Sequence, residues 1–314
     1  MKNTEIINMI QAQSTYYEDS LETSVDKFLG RKDIDIEKLK HIGFFVITPD
    51  SIKRELVTPI LDFVIENTNA KILSAKLKYL SSHDIENLYK YTFRKRIIDG
   101  EQTFWWLMQR SFQLDPCIAV IMFCDEHKEE TFCDTLLNLK GSFVKNCMPV
   151  VETIRDHFTS ISRILAVIHS SDDIYSMLRE ALLFFTIQEI TSIIKFEKYL
   201  TKNSVSCLVE GYNEHDLSMI KEYLLKRIYA TIFFNNQVTI KERFDKNISD
   251  KQFIKIVNSC LNELDINLVK VIKGIYERNY DISIEYYGEI LRHADIYINH
   301  WEEVVLINQL FFNK

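Results

Sequence analysis

The chain has 314 residues, of which 46% are hydrophobic and 26% are charged, as in a folded globular protein rather than a disordered one. Its 7 glycines and 4 prolines exclude collagen-like and glycine-rich architectures, and the sequence contains no glycine-rich phosphate-binding loop. The formal net charge of −7 gives no general attraction to nucleic acid or to an anionic membrane, so we expect neither as a partner.

Compartment and metal content are predicted from a few local patterns. The start of the sequence lacks the apolar core of a signal peptide, and no run of 18 apolar residues predicts a membrane span. Six cysteines are scattered without a CxxC pair, which predicts reduced, buried thiols and no zinc site. His293, Asp295 and His300 do not fall on one helical face, so we reject a metal site there. We therefore predict a cytoplasmic protein.

Prolines and hydrophobic periodicity divide the chain into three predicted parts. Residues 1–40 have a weak amphipathic pattern and are predicted to form a helical lead-in. Residues 41–186 contain all four prolines and several short apolar runs, which predicts a mixed domain. Residues 187–314 have helical patterns, including amphipathic segments at 217–228 and 253–264, and are predicted to form an all-α domain.

The mixed domain opens with a strand, a helix and a second strand. The run IGFFVI at 42–47 is rich in β-forming residues and predicts a buried strand. Thr58 followed by Pro59 predicts a helix N-terminus, with Thr58 as the N-cap and the helix extending to about residue 67. Residues 71–80 are then predicted to form the second strand.

The second half of this domain repeats the pattern. We predict a short helix over 81–91, a buried strand at 117–123, a helix over 173–181 and a last strand at 182–185. The order βαβ followed by βαβ predicts an α+β fold of the ferredoxin-like split βαβ type. In that fold a four-stranded sheet has helices on one face.

Five blocks of residues form a recognisable set of sequence motifs. They are ITPDSIKRELV at 47–57, FWW at 104–106 ahead of DPCIA at 115–119, TIRDHF at 153–158, AVIHSSDD at 166–173, and Glu180. In order and spacing, from about residue 43 to residue 185, they resemble the nucleoside diphosphate kinase family. The resemblance implies a phosphotransferase that moves the γ-phosphoryl of a nucleoside triphosphate to an ordinary or modified nucleotide acceptor. It also implies a phosphohistidine intermediate and Mg²⁺ bound with the nucleoside triphosphate.

The family motifs imply a role for each matched residue. His169 would be the nucleophile, Glu180 would orient its ring and Ser171 would position Glu180. The nucleotide-binding matches are Tyr89, Phe104, Arg155, Asp172 and Thr48. Among them, the Phe104 ring would stack on the base and Arg155 would contact phosphate. The expected partners are nucleotides, together with a second copy of the chain or another protein bound through the helical tail.

Three departures from the family pattern leave a second hypothesis open. Thr48 stands where the family has a phosphate-contacting lysine, Asp134 lies near the place of a second phosphate arginine, and Ala166 replaces an asparagine. Four other cations are candidates to replace the lost groups: Lys140, Lys145, Lys53 and Arg163. If none of them does so, the domain is a degenerate nucleotide-binding regulator or scaffold that acts through its C-terminal helices.

Overall fold

The computed structural model describes residues 3–12, 20–90, 105–126, 131–142, 152–196, 199–209, 266–277, 283–294, 296 and 298–312. The chain divides into two compact units, Met1–His215 and Asp216–Lys314. The first unit therefore includes the beginning of the stretch 187–314, whose separation as a domain stays a prediction.

The first unit contains a four-stranded sheet and the helices that flank it. Its strands are β1 (Ile42–Ile47), β2 (Lys71–Lys78), β3 (Cys117–Phe123) and β4 (Ile168–Ser170). Its described α-helices are α1 (Asn3–Ala12), α2 (Ser20–Leu29), α3 (Pro49–Lys53), α4 (Val57–Thr68), α5 (Ser82–Leu88), α6 (Trp105–Gln113), α7 (Phe132–Lys140), α8 (Ile154–His157), α9 (Ile174–Ala181), α10 (Ile187–Phe196) and α11 (Lys202–Ser206). Short 3₁₀ helices cover Ile36–His41 and Cys207–Val209.

The sheet has the strand order β2-β3-β1-β4, and every neighbouring pair is antiparallel. In this order β1 lies between β3 and β4, and Val46 of β1 pairs with His169 of β4. Each βαβ connection therefore spans one intervening strand, as in the split βαβ arrangement. The predicted α+β fold class is confirmed.

Two local predictions in this domain are wrong. The apolar run 182–185 is a turn after α9 rather than a strand, because the backbone N–H groups of Phe184 and Phe185 both donate to the Ala181 carbonyl. The Phe184 ring is buried against Phe44, with ring centroids 5.9 Å apart, which explains the apolar character of the turn. Thr58 is not an N-cap, because α4 already begins at Val57.

Helices α4 and α7 cover one face of the sheet through a common hydrophobic core. This cluster includes Phe45, Ile47, Ile60, Val64, Val120, Met122, Phe132 and Leu136. A Cβ atom at Gly43 would lie only 2.3 Å from Leu136 Cδ1, so glycine is what lets α7 approach β1 this closely. The prediction of buried thiols is confirmed for Cys117, Cys124 and Cys133, but Cys207 is exposed.

The second unit is helical in its described residues, as predicted for the C-terminal region. It contains α12 (Ile266–Glu277), a 3₁₀ turn at Ile284–Tyr286, α13 (Tyr287–His293) and α14 (His300–Phe312). Glu303 is buried on α14 and is paired with Arg292 of α13 at 2.9 Å. The predicted amphipathic segments 217–228 and 253–264 lie outside the described residues. None of the helices within the described ranges combines the length and apolar character needed to cross a bilayer.

Candidate active site

The shortest strand, β4, carries His169 and begins directly after an unusual turn. Val167 has φ 69°, a left-handed conformation that β-branched residues rarely adopt. The Ile168 N–H donates to the Ala166 carbonyl at 2.8 Å, so Val167 is the central residue of a γ-turn. This turn sets the direction in which β4, and therefore His169, leaves the preceding chain.

Three donors from the start of α3 hold the Val167 carbonyl. The Thr48 N–H lies 3.3 Å from this oxygen, the Thr48 hydroxyl 2.8 Å and the Ser51 hydroxyl 2.7 Å. Thr48 and Ser51 are both buried. The segment that follows β1 therefore fixes the strained turn two residues before His169.

A buried carboxyl group completes this contact. Asp50 is 1% exposed, and its Oδ1 lies 2.6 Å from the Thr48 hydroxyl. That hydroxyl has a single hydrogen but lies between two acceptors, Asp50 Oδ1 and the Val167 carbonyl. A protonated Asp50 would provide the missing hydrogen, and desolvation by burial does raise the pKa of this carboxyl above its ordinary value, although Thr48 and Arg54 oppose the rise.

We expect Asp50→Asn to stabilise the protein at neutral pH by about 1–3 kcal/mol, because it removes the cost of a buried charge and its amide N–H can donate the hydrogen that the Thr48 hydroxyl lacks. A raised folded-state pKa means that the unfolded chain releases the Asp50 proton first as the pH rises. The stability difference between variant and wild type should therefore be small at pH 3 and should grow as the pH passes from the ordinary aspartate pKa through the raised one. Urea unfolding of both proteins from pH 3 to 8 measures this difference, and a difference that is constant with pH would contradict a raised pKa at Asp50.

His169, Glu180 and Ser171 form a connected group. His169 Nε2 lies 2.8 Å from Glu180 Oε2, and the Ser171 hydroxyl donates to the same oxygen at 2.6 Å. The His169 side chain is 15% exposed and that of Glu180 is 6% exposed. Asp173 caps α9 by accepting from the Ser176 N–H at 2.7 Å, which fixes the helix that carries Glu180. Because Nε2 is hydrogen-bonded to Glu180, the lone pair of the other ring nitrogen, Nδ1, is the one that can react with a substrate.

Tyr89 lies against the His169 ring in an edge-on contact, with ring centroids 4.8 Å apart. Burial raises the pKa of its phenol well above the usual value, so the hydroxyl is neutral at physiological pH. The fully buried Arg179 donates to the Asn87 carbonyl at 2.6 Å. It thereby ties α9, the helix of Glu180, to the end of α5 two residues before Tyr89.

Two cations, the half-buried Arg155 and the buried Lys140, adjoin this group. Arg155 Nη1 donates to the Gly141 carbonyl at 2.7 Å, and desolvation by burial lowers the pKa of its guanidinium to about 10. Tyr89 and Asp172 raise the pKa of the Arg155 guanidinium, which indicates that both side chains lie near it. Lys140 Nζ donates to the Ser170 carbonyl at 3.1 Å and lies 3.7 Å from Asp172 Oδ1.

The structure thus brings together seven of the eight site residues predicted from the sequence. They are His169, Glu180, Ser171, Tyr89, Arg155, Asp172 and, behind the γ-turn, Thr48. Phe104 lies outside the described residues. No group of three His, Cys, Asp or Glu side chains suited to a metal ion occurs in the described part of the chain. Sequence reasoning missed Asp50, Ser51 and Arg179, whose burial leaves no signature in the local pattern.

Residues 42–190 match the family model described as nucleoside diphosphate kinase. A search of curated proteins finds no match. Solved structures that match part of this chain include an NDP kinase from Pyrobaculum aerophilum, with 17% identity and a TM-score of 0.37 over 48% of this chain and 98% of that one. A nucleoside diphosphate kinase from Encephalitozoon cuniculi has 20% identity and a TM-score of 0.38 over 46% of this chain and 87% of that one. That of Borrelia burgdorferi, solved with vanadate and ADP, has 17% identity and a TM-score of 0.39 over 51% and 90% of the respective chains.

The family match begins at the first residue of β1 and ends beyond α9, so it includes every strand of the sheet and the helix of Glu180. It also contains the whole stretch, from about residue 43 to residue 185, in which the sequence motifs were found. Residues 42–190 of this chain therefore form a nucleoside diphosphate kinase-like domain, which is extended by helices on both sides.

Proposed function

We propose that this domain is a phosphotransferase that moves the γ-phosphoryl of a nucleoside triphosphate to a nucleotide acceptor through a phosphohistidine at His169. The observation that carries the proposal is the contact of His169 Nε2 with the buried Glu180 carboxylate at 2.8 Å. This contact keeps the proton on Nε2, so the Nδ1 lone pair is free to act as a nucleophile.

The transfer consists of two displacements at phosphorus. In the first, Nδ1 attacks the γ-phosphorus, a P–N bond forms, and the bond to the oxygen that bridges the β- and γ-phosphates breaks. The nucleoside diphosphate leaves with that oxygen, and the Nε2 proton stays on the contact with Glu180, whose charge stabilises the positive ring. In the second, a terminal oxygen of an acceptor diphosphate attacks the same phosphorus, and the P–N bond electrons return to Nδ1.

The charge of the transferring group requires cations and hydrogen-bond donors around it. Arg155 is the predicted phosphate contact, and its partial burial strengthens its interaction with an anion. Mg²⁺ commonly binds one or two carboxylates together with substrate phosphates, and the 75% exposed side chain of Asp172 fits that pattern. When bound, the ion would neutralise charge on the phosphates. Tyr89 would keep the His169 ring in place, and Thr48 would act through the γ-turn.

A second candidate function is favoured by the state of the three replaced positions. The Thr48 hydroxyl is used within the protein, Asp134 accepts from the Thr131 hydroxyl in a helix-capping box, and Ala166 is buried. None of the three is a cation, so the alternative is a nucleotide-binding domain that regulates or scaffolds a partner through the C-terminal helices. A homo-oligomer, a protein partner of the tail and a cytoplasmic location stay predictions.

Incubation of the full chain with γ-labelled ATP and Mg²⁺ distinguishes the two functions. Phosphotransfer predicts a protein-bound label that is stable in base and lost in acid, as expected for a phosphohistidine. Nucleotide binding without any covalent label would support the regulatory alternative and contradict the phosphotransfer proposal.

A further inference from the structure

We propose that Lys140 is a phosphate-binding cation of this site. It would replace in part the phosphate contacts that the family makes with the lysine and the arginine that this chain lacks. The inference rests on the proposed phosphotransfer at His169. It concerns a residue at the end of α7 that the family motifs do not assign.

Lys140 is positioned directly beside the reacting strand. Its ammonium group donates to the carbonyl of Ser170, the residue that follows His169, at 3.1 Å. It also lies 3.7 Å from the carboxylate of Asp172, three residues after His169. The Lys140 side chain is only 10% exposed, although lysine is among the residues least often buried.

The contacts of Lys140 within the protein compensate only weakly for the desolvation of its charge. One is with a neutral carbonyl, and the other is with an Asp172 side chain that is 75% exposed, so water screens the pair. The pKa of the ammonium group is lowered, chiefly by desolvation on burial and further by the nearby charge of Arg155, although Asp172 and Glu180 oppose the shift. An anion bound beside Lys140 would offset the desolvation of the buried ammonium group.

The two cations of the site are held close together by one glycine. Arg155 donates to the carbonyl of Gly141, which directly follows Lys140 in the chain. Like charges repel each other, and the charge of Arg155 contributes to lowering the pKa of the Lys140 ammonium group. A polyanionic group between them removes the repulsion, as at other phosphate sites built from several cations.

The other candidate cations are less well placed. Arg163 is exposed, and Lys53 is half-buried at the end of α3; within the described ranges neither has a hydrogen bond or ion pair to the His169 strand or to Asp172. Lys145 lies outside the described residues. Of the three candidates that the structure describes, Lys140 is therefore the one in contact with the residues around His169.

The test compares three substitutions in the full chain. Lys140→Met removes the charge at similar volume, and Lys140→Gln removes it while keeping a donor for the Ser170 carbonyl. Lys71→Met is the matched control, because Lys71 is a partly exposed, ion-paired lysine on β2, at the edge of the sheet opposite β4. Each protein is checked by thermal unfolding and is then assayed for single-turnover labelling by γ-labelled ATP with Mg²⁺. Calorimetry measures its affinity for ATP and for AMP.

We expect both Lys140 variants to be labelled about 100-fold more slowly and to bind ATP about tenfold more weakly, with AMP affinity unchanged, because AMP lacks the β- and γ-phosphates. Lys71→Met should behave as wild type. Wild-type labelling rates in both folded Lys140 variants, or an equal loss of ATP and AMP affinity, would overturn the inference. If wild-type protein binds ATP but is not labelled, the phosphotransfer proposal fails, and the ATP affinities alone decide the role of Lys140. If wild-type protein binds no ATP, both proposals are overturned.

Discussion

In the His169→Asn variant, labelling by γ-labelled ATP is expected to fall at least about 1,000-fold, because the substitution removes the only nitrogen nucleophile in the proposed reaction. Asparagine retains a polar side chain on β4, whose path is fixed by the γ-turn at Val167 rather than by the imidazole. The fold and the affinity for ATP should therefore persist. Quantitative labelling together with ATP calorimetry measures both effects.

His83→Asn is the matched control for this experiment. His83 is exposed on α5, in the same unit, and contacts Asn87 through its ring. Its variant should be labelled like the wild type. Equal labelling of the His169→Asn and wild-type proteins would remove His169 as the nucleophile, even if both proteins carried an acid-labile label.

Glu180→Ala is expected to slow labelling on the order of 100-fold and to leave ATP affinity within about twofold of the wild type. The Glu180 carboxylate contacts His169 and Ser171 rather than a cation of the phosphate site. Its loss frees the imidazole to rotate and to change tautomer, and it removes the negative charge that stabilises the phosphorylated ring. The rate of the covalent step should therefore change while nucleotide binding does not.

Glu66→Ala provides the control, since Glu66 is an exposed glutamate of α4 on the same unit. Single-turnover labelling at saturating ATP separates the covalent step from binding. A large loss of ATP affinity with an unchanged single-turnover rate would contradict the orienting role of Glu180 and would place this carboxylate in the nucleotide site.

Strands β1 and β3 were predictable because nearly all of their side chains are buried, which gives continuous apolar runs. The strands at 42–47 and 117–123 and the helix near 173–181 follow from continuous apolar runs or helical periodicity, and the structure confirms them. Strand β4 was missed because it has only three residues and begins at a γ-turn, which depends on donors more than 100 positions earlier in the chain. The run 182–185 was mistaken for it because a buried turn and a buried strand have the same composition.

The grouping of the candidate site residues was predictable for a different reason, which is that their motifs occur in the family's order and spacing. What the sequence could not provide is the direction of individual side chains. Lys140 and Lys53 both end helices, but only Lys140 reaches the strand of His169. The role of Thr48 likewise depends on a hydroxyl that contacts Val167, the residue just before the neighbouring strand β4, which no local pattern around residue 48 indicates.

Discharge of the isolated phosphoprotein tests the central claim most directly. Protein labelled with γ-labelled ATP is freed of nucleotide by gel filtration and is then mixed with an unlabelled nucleoside diphosphate and Mg²⁺. Transfer through a phosphohistidine at His169 predicts that the label leaves the protein and appears as nucleoside triphosphate, with no ATP present. A label that stays on the protein, or appears only as inorganic phosphate, would contradict phosphotransfer to a nucleotide.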